Sequence, residues 1–410
     1  MAYTVFPNSI GKFAGPYLSN PFLLSKPQPS FAVNFDDNGS GIANLVVFRG
    51  AATPTYTRAS VKWTKLSSGL WAQVASGSPC SLYSGFDTAA GTYLGYYAEG
   101  AATQLVTPTD SIRDMTNAAW TAGATMTVAK DGVGIDGAAN SCSRLTGGGV
   151  AATNTILQTL TAAASSRTYS VWLQRVTGTG VVNITQDGGS TWTAVTSSLT
   201  TANFVRVSLT ASVLNAAFGV QVETDGDVVL ADFNQFEAGA FATSPLAAAG
   251  AARNADVLTY PTTGWLNAAS GTVYNEFQIQ GQVAGTVSNY VLSLDNGTSD
   301  ERINLGIHSS LRSYSVVVDD AVVVAELLPP NAGALNQTYR QAFAYAANDF
   351  VMTDSNGGAV ATDSAGGIPD ITTLRVGLFS GGGTETYGPI RRVAYYPRRL
   401  SNGQLQNLTT

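Results

Sequence analysis

The chain has 410 residues, of which 44% are hydrophobic and only 12% charged, with 43 glycines and a net charge of −6. Such a chain is too apolar for a disordered tail and long enough for two or three domains with real cores. Its acidic balance argues against a nucleic-acid partner, which needs a basic face to neutralise phosphates. No stretch approaches the ~18 uninterrupted apolar residues of a membrane helix, and Met1–Pro7 has neither the basic start nor the apolar centre of a secretory leader. Cys80 and Cys142 stand far apart and outside any Cys-x-x-Cys pair, so the expectation is two free thiols made in a reducing cytoplasm.

In residues 1–45, Pro7, Pro16, Pro21, Pro27 and Pro29 interleave with Phe6, Phe13, Tyr17, Phe22 and Phe31. Proline at this density opposes regular helix and central strand. So many aromatic rings argue against a free, solvated tail. The expectation is an extended arm docked either on a partner or on the chain's own sheet. In the first case Phe6, Phe13, Phe22 and Phe31 would be its anchoring rings.

Residues 46–105 read as short strands forming a linker region. Ser60–Leu66 alternates, a Ser-Ser-Gly turn follows, and Gly69–Val74 returns as the second arm of a hairpin. Residues 106–250 then carry many short strands at turn-punctuated spacing, the pattern of a jelly-roll sandwich. Within Thr168–Gln174, Tyr169, Val171 and Leu173 share one face and Trp172 sits on the other. Trp172 is therefore a ligand platform, the cover of a second interface, or a ring packed under a loop.

Ser244-Pro245 stops the last of these strands, because proline lacks a ladder donor and restrains its predecessor. An alanine-rich connector follows, and Val257 opens a second sandwich over residues 251–410. There Asn296-Gly297 turns one hairpin and Asp319-Asp320 another. Ser401 is placed to cap a final helix held to the sheet by Leu400, Leu405 and Leu408. The fold class is thus all-β: an extended N-terminal arm and two antiparallel β-sandwich modules. Proteolysis near the connector is expected to release a stable fragment of residues ~255–410.

Residues suited to chemistry are few. His308 is the one histidine in the chain, beside a strand, and reads as structural. The glycine triplets at 147–149 and 381–383 lack the lysine of a phosphate loop. Glu99, Glu237, Glu276 and Asp256 are the carboxylates from which a glycosidase pair would be drawn, yet each suits a module end where it accepts backbone donors. Asp225-Gly226-Asp227, and Asp295-Asn296-Gly297 with Asp300, offer calcium-type oxygens but are also good tight turns. Neither catalytic residues, metal nor cofactor is expected. Trp192, at a hairpin tip, and Trp265, near a module edge, are the aromatic candidates for stacking on a sugar ring.

Three stretches carry a family resemblance. Gln235–Gly239 with Phe241–Pro245 and Arg253–Leu258 resembles the junction that closes a jelly-roll module and opens a concanavalin/laminin-G-like module in bacteriophage tail and virion proteins. Tyr97–Leu105 resembles a second hallmark of those proteins, with Gln104 where they commonly carry Asn, and Arg391–Leu408 resembles their closing strand and helix. The resemblance spans roughly residues 45–410. It implies a structural protein of a tailed bacteriophage virion, made in the host bacterial cytoplasm. On this reading the chain is a tail fibre or spike adhesin, homotrimeric, partnered by other virion proteins and by host-surface glycan, without nucleic acid or membrane insertion. A capsid decoration protein or head fibre, and a carbohydrate-active enzyme, are the alternatives.

Overall fold

The structure, a computed structural model, describes residues 28–36, 41–50, 52–247, 250, 252–282, 288–382 and 385–410. Its elements are almost all antiparallel strands, as the alternating pattern predicts. Among the described residues no helix is long and apolar enough to cross a membrane.

The jelly roll forms from two five-stranded sheets. One runs Thr127–Gly132, Cys142–Thr146, Val228–Ala238, Ser166–Thr177, Val205–Ser212; the other runs Thr193–Ala194, Val182–Thr185, Ala217–Val222, Thr155–Thr159, Thr121–Ala122. Tyr169, Val171 and Leu173 are all fully buried between them. Phe218 from the facing sheet stacks on Phe236 at 4.4 Å and packs on Tyr169 at 5.2 Å. Burial of rings this large dominates the energetics of such a core.

The second sandwich has a seven-stranded and a nine-stranded sheet, and it is discontinuous in sequence. The nine-stranded sheet runs Val47–Arg49, Phe31–Asn34, Gly388–Tyr396, Ser270–Gln278, Thr338–Ala346, Asp349–Asp354, Ala361–Asp363, with Tyr93–Ala98 pairing Gly388–Tyr396 and Ser81–Tyr83 beyond it. In the other sheet, Thr55–Thr57 forms the edge beside Val257–Pro261. Strands from residues 31–98 are therefore integral to the sandwich of residues 251–410, and the jelly roll is inserted between the two parts. This corrects the expected division into arm, linker and independent C-terminal module. It also removes the basis for a self-sufficient fragment of residues 255–410, which would lack strands from both sheets.

Phe31 shows why. It is fully buried, stacked on Trp265 at 4.5 Å and edge-on to Tyr260 at 5.3 Å. Its strand lies between two others, so it anchors the chain's own sheet and not a partner's groove, contrary to the first expectation for the arm. Phe6, Phe13 and Phe22 lie outside the described residues.

The linker hairpin Lys62–Lys65/Trp71–Val74 covers the outer face of the jelly roll. Trp172 is fully buried there, 4.9 Å from Trp71, so it is the cover of an interface and not a ligand platform. Trp63 meets Phe233 at 4.8 Å. Phe233 sits at φ 42°, where a bulky residue is strained, within a register break of its strand. The break turns its ring toward Trp63 and under the Arg113 guanidinium, 4.6 Å from the ring centre.

At the C-terminus, Ser401 and Gln404 form a reciprocal cap on helix Asn402–Thr409. Leu400 and Leu405 are buried against the outer face of the nine-stranded sheet, with Leu408 packed alongside.

Candidate functional site

The chain leaves the second sandwich and returns to it at one place. Ala102–Thr103 pairs with Ala252–Arg253 in a two-stranded clasp between the modules. Around it the sequence concentrates charge that it uses sparingly elsewhere, and almost all of that charge is buried.

Asp256, 1% exposed, is the centre. Its Oδ1 accepts from Arg58 Nη1 at 3.0 Å and Tyr56 Oη at 2.5 Å, and its Oδ2 from Lys62 Nζ at 2.7 Å and the Glu99 backbone N–H at 3.0 Å. Lys62 bridges to Glu99, with Nζ 3.1 Å from Oε2, and also donates to the Tyr97 carbonyl at 2.6 Å. Glu99 Oε1 accepts from Tyr97 Oη at 3.0 Å and the Ser244 N–H at 2.9 Å, while Oε2 lies 3.3 Å from Arg253 Nη1. Arg253 in turn donates to Ser244 Oγ at 2.7 Å and to the Gly100 carbonyl at 2.7 Å. Glu237 accepts both the N–H and the hydroxyl of Thr243, at 2.9 and 2.8 Å.

Each segment of the chain contributes to this network. Arg58 and Lys62 come from the linker, Glu99 follows the exit strand Tyr93–Ala98, Glu237 and Thr243 come from the end of the jelly roll, Arg253 from the re-entry strand, and Asp256 from the link between it and Val257–Pro261. Burial pushes the Glu99 carboxyl up, but Arg253, Lys62 and the Ser244 N–H overrule it and hold the group at about 2. Burial prevails at Glu237, whose pKa is raised despite Arg206. Burial likewise pushes the neighbouring Cys80 thiol up to about 11.

Two recesses flank Phe241 beside this network. One, of about 210 Å³, is lined by Phe86, Arg206, Ser208, Thr210 and Gln280; the other, of about 150 Å³, by Glu237, Gly239, Thr243 and Tyr387. Phe241 separates them by packing edge-on to Tyr387 at 4.8 Å and against Gly281, where a Cβ would lie 2.3 Å from its ring. Each recess is smaller than the roughly 300–1,000 Å³ of a site that encloses a small-molecule substrate.

The other sequence candidates are dispersed. Trp265 is 3% exposed and donates its indole N–H to the Pro261 carbonyl at 2.7 Å, so it is a core residue, which corrects its placement at an accessible edge. Trp192 is half-buried at the hairpin tip, its ring folded against Gly189. That loop is organised on Asp187, which accepts the Thr191 N–H and the Thr185 hydroxyl, each at 2.8 Å. His308 Nδ1 accepts the Ser310 N–H at 3.1 Å. Asp227 pairs with Arg175 at 3.1 Å and Asp295 with Arg375 at 2.9 Å, so one carboxylate of each calcium-type turn is committed to an arginine. Among the described residues no group of three or more His, Cys, Asp or Glu side chains is placed to hold a metal ion. Glu276, the fourth carboxylate, lies on the outer face of the nine-stranded sheet, 3.4 Å from Arg392.

The sequence reading anticipated structural roles for Glu99, Glu237 and Asp256 but missed their cationic partners. A signal was present: Lys62 interrupts the Val61–Trp63 pair in a chain only 12% charged, and a charge among large apolar residues usually has a buried partner.

No protein-family model matches the chain, and no curated protein does. Among solved structures it is similar to the CBM40 of the Ruminococcus gnavus IT-sialidase bound to alpha2,3 sialyllactose, at 17% identity over 35% of this chain and 84% of that one, with a TM-score of 0.30. It is also similar to the NanB sialidase from Streptococcus pneumoniae, at 14% identity over 35% of this chain and 25% of that one, TM-score 0.29. The heptameric SAP-like pentraxin from Limulus polyphemus is a third, at 14% identity over 35% and 70%, TM-score 0.27. At these values the similarity carries no inference about ligand or activity.

Proposed function

We propose that this protein is a structural component of a tailed bacteriophage virion, an adhesin of the tail fibre or spike type that holds host-surface glycan without chemical turnover. The observation that carries this reading is the buried network. Three of the residues by which the sequence resembles virion proteins, Glu99, Arg253 and Asp256, hold the two sandwiches to each other and to the linker. Carboxylates committed to buried cations and backbone donors serve rigidity, which suits a protein that transmits load between a particle and a surface. Trp192, half-exposed on an ordered tip, is the ring offered to a sugar. Contact at each site is weak and is multiplied by assembly into trimers on the particle.

Particles assembled without the protein test the proposal. Attachment predicts reduced adsorption with intact shells. Normal adsorption with shells that leak on warming would assign it to capsid decoration. Sedimentation of the purified chain tests the trimer, which a monomer at micromolar concentration and in the particle would refute.

A further inference from the structure

The outer face of the nine-stranded sheet holds an arrangement that the module junction does not explain. Strand Ser270–Gln278 pairs with Gly388–Tyr396 in regular register up to Glu276↔Arg392, and the next pair is Phe277↔Ile390. Arg391 is the extra residue. A bulge of this kind sets two residues of one strand against one of its partner and re-aims a side chain. Here it brings Arg391 and Arg392 to the same carboxylate, while Arg340 approaches from the other neighbouring strand in register with Glu276.

Three guanidinium groups thus converge on Glu276, at 3.4 Å for Arg392, 3.5 Å for Arg340 and 3.9 Å for Arg391. Glu276 also accepts from Tyr274 Oη at 3.3 Å, and its side chain is 5% exposed. One buried carboxylate needs one well-placed cation, and Arg392 supplies it. The other two are partly exposed, 39% for Arg340 and 43% for Arg391. Arg392 Nε is used on Asn34 Oδ1 at 3.3 Å, and Arg340 Nη1 on the Thr410 carbonyl at 3.2 Å. The Asp36 carboxylate also acts on Arg391 and Arg392. Three guanidinium groups thus share the one Glu276 carboxylate on a chain whose net charge is −6. The guanidinium group of Arg391 reaches Glu276 only at ion-pair distance. Planar guanidinium forks that are partly exposed are what a carboxylate ligand requires.

We propose that Arg340, Arg391 and Arg392 form a recognition site for the carboxylate of an acidic surface glycan, with Glu276 as the internal carboxylate that holds the three side chains in place. The proposal rests on the attachment reading and names its ligand class. The site is shallow and ionic, so binding weakens steeply with salt.

The test is binding of the full chain to immobilised oligogalacturonate and hyaluronan tetrasaccharides, with maltotetraose as the neutral control. The double variant R340Q/R391Q keeps Arg392 on Glu276 and so preserves the fold, which its thermal unfolding checks; R144Q removes an exposed arginine elsewhere. The expected result is binding to a carboxylated tetrasaccharide but not to maltotetraose, weakened at least tenfold in R340Q/R391Q and unchanged in R144Q. R340K/R391K should recover only part of it, since lysine keeps the charge without the fork. Equal binding by R340Q/R391Q and the parent overturns the site while leaving attachment standing. Binding to maltotetraose alone overturns the anionic chemistry, again leaving attachment standing. Binding to no carboxylated tetrasaccharide overturns the proposal, and attachment falls with it only if particles lacking the protein also adsorb normally. Displacement by inorganic phosphate at the same concentration as by free galacturonate would mark an unselective anion patch and refute recognition of a glycan.

Discussion

Glu99→Gln is the sharpest test of the buried network. The substitution keeps shape but replaces an acceptor that faces Lys62 at 3.1 Å and Arg253 at 3.3 Å with a neutral amide. Glu99 titrates at about 2 in the folded chain against a reference of 4.5, so the charged form is favoured by roughly 3 kcal/mol on folding. That agrees with the ~3–5 kcal/mol typical of removing one partner from a buried pair. Because the folded value is depressed, this stability is complete above pH ~4.5 and is lost as pH falls toward ~2, the unfolded chain taking up its proton first. Denaturant unfolding at pH 7 should therefore show the variant about 3 kcal/mol less stable than the parent, and the gap should shrink by roughly 2 kcal/mol at pH 3. A gap below ~1 kcal/mol at pH 7, or one that does not change with pH, would show that Lys62 and Arg253 are neutralised without Glu99.

Three further outcomes follow from the packing. A chain of residues 252–410 made alone should fail to yield a folded monomer, because it lacks the strands of residues 31–98; nicking the intact protein at 247–251 should leave both pieces co-eluting on size exclusion. Trp172→Ala, which removes a fully buried ring, should cost about 3–5 kcal/mol in denaturant unfolding, whereas Trp192→Ala at the tip should change stability by less than ~1 kcal/mol. Cys80 and Cys142 are free and buried, their thiols raised by burial to about 11 and about 12, so neither should react with a thiol reagent at pH 8 until the chain is denatured, when both should titrate.

Local signals were legible in the sequence and long-range ones were not. The Tyr169–Leu173 alternation, the Asp319-Asp320 turn and the Ser401 cap each depend on residues a few positions apart, and each appears as read. For Phe31 the sequence leaves a partner and the chain's own sheet as alternatives, because proline density describes the chain around it, whereas its burial depends on Trp265 and on strand Gly388–Tyr396, more than 200 residues away. Trp265 was misread for the same reason: its neighbours in sequence are turn-like, and its neighbours in space are Phe31 and Tyr395. In the candidate site the carboxylates stood out through their motif, but pairing them with Arg58 and Lys62 required knowing that the linker folds back onto the junction. The arginine convergence on Glu276 depends on a single-residue bulge, which alternation alone does not reveal.

The insertion of the jelly roll also bears on how the chain is made. Strand Tyr93–Ala98 must wait for Gly388–Tyr396, which leaves the ribosome almost 300 residues later. Closing the intervening ~150-residue jelly-roll segment as a flexible loop would cost roughly 4 kcal/mol of chain entropy. Once the jelly roll has folded, however, its two ends lie side by side at Ala102↔Arg253, and the long excursion acts as a short tether. The inserted domain thus serves as a clip that prepositions the first strands for the last, and defects in its core should appear first as failure to assemble the other sandwich.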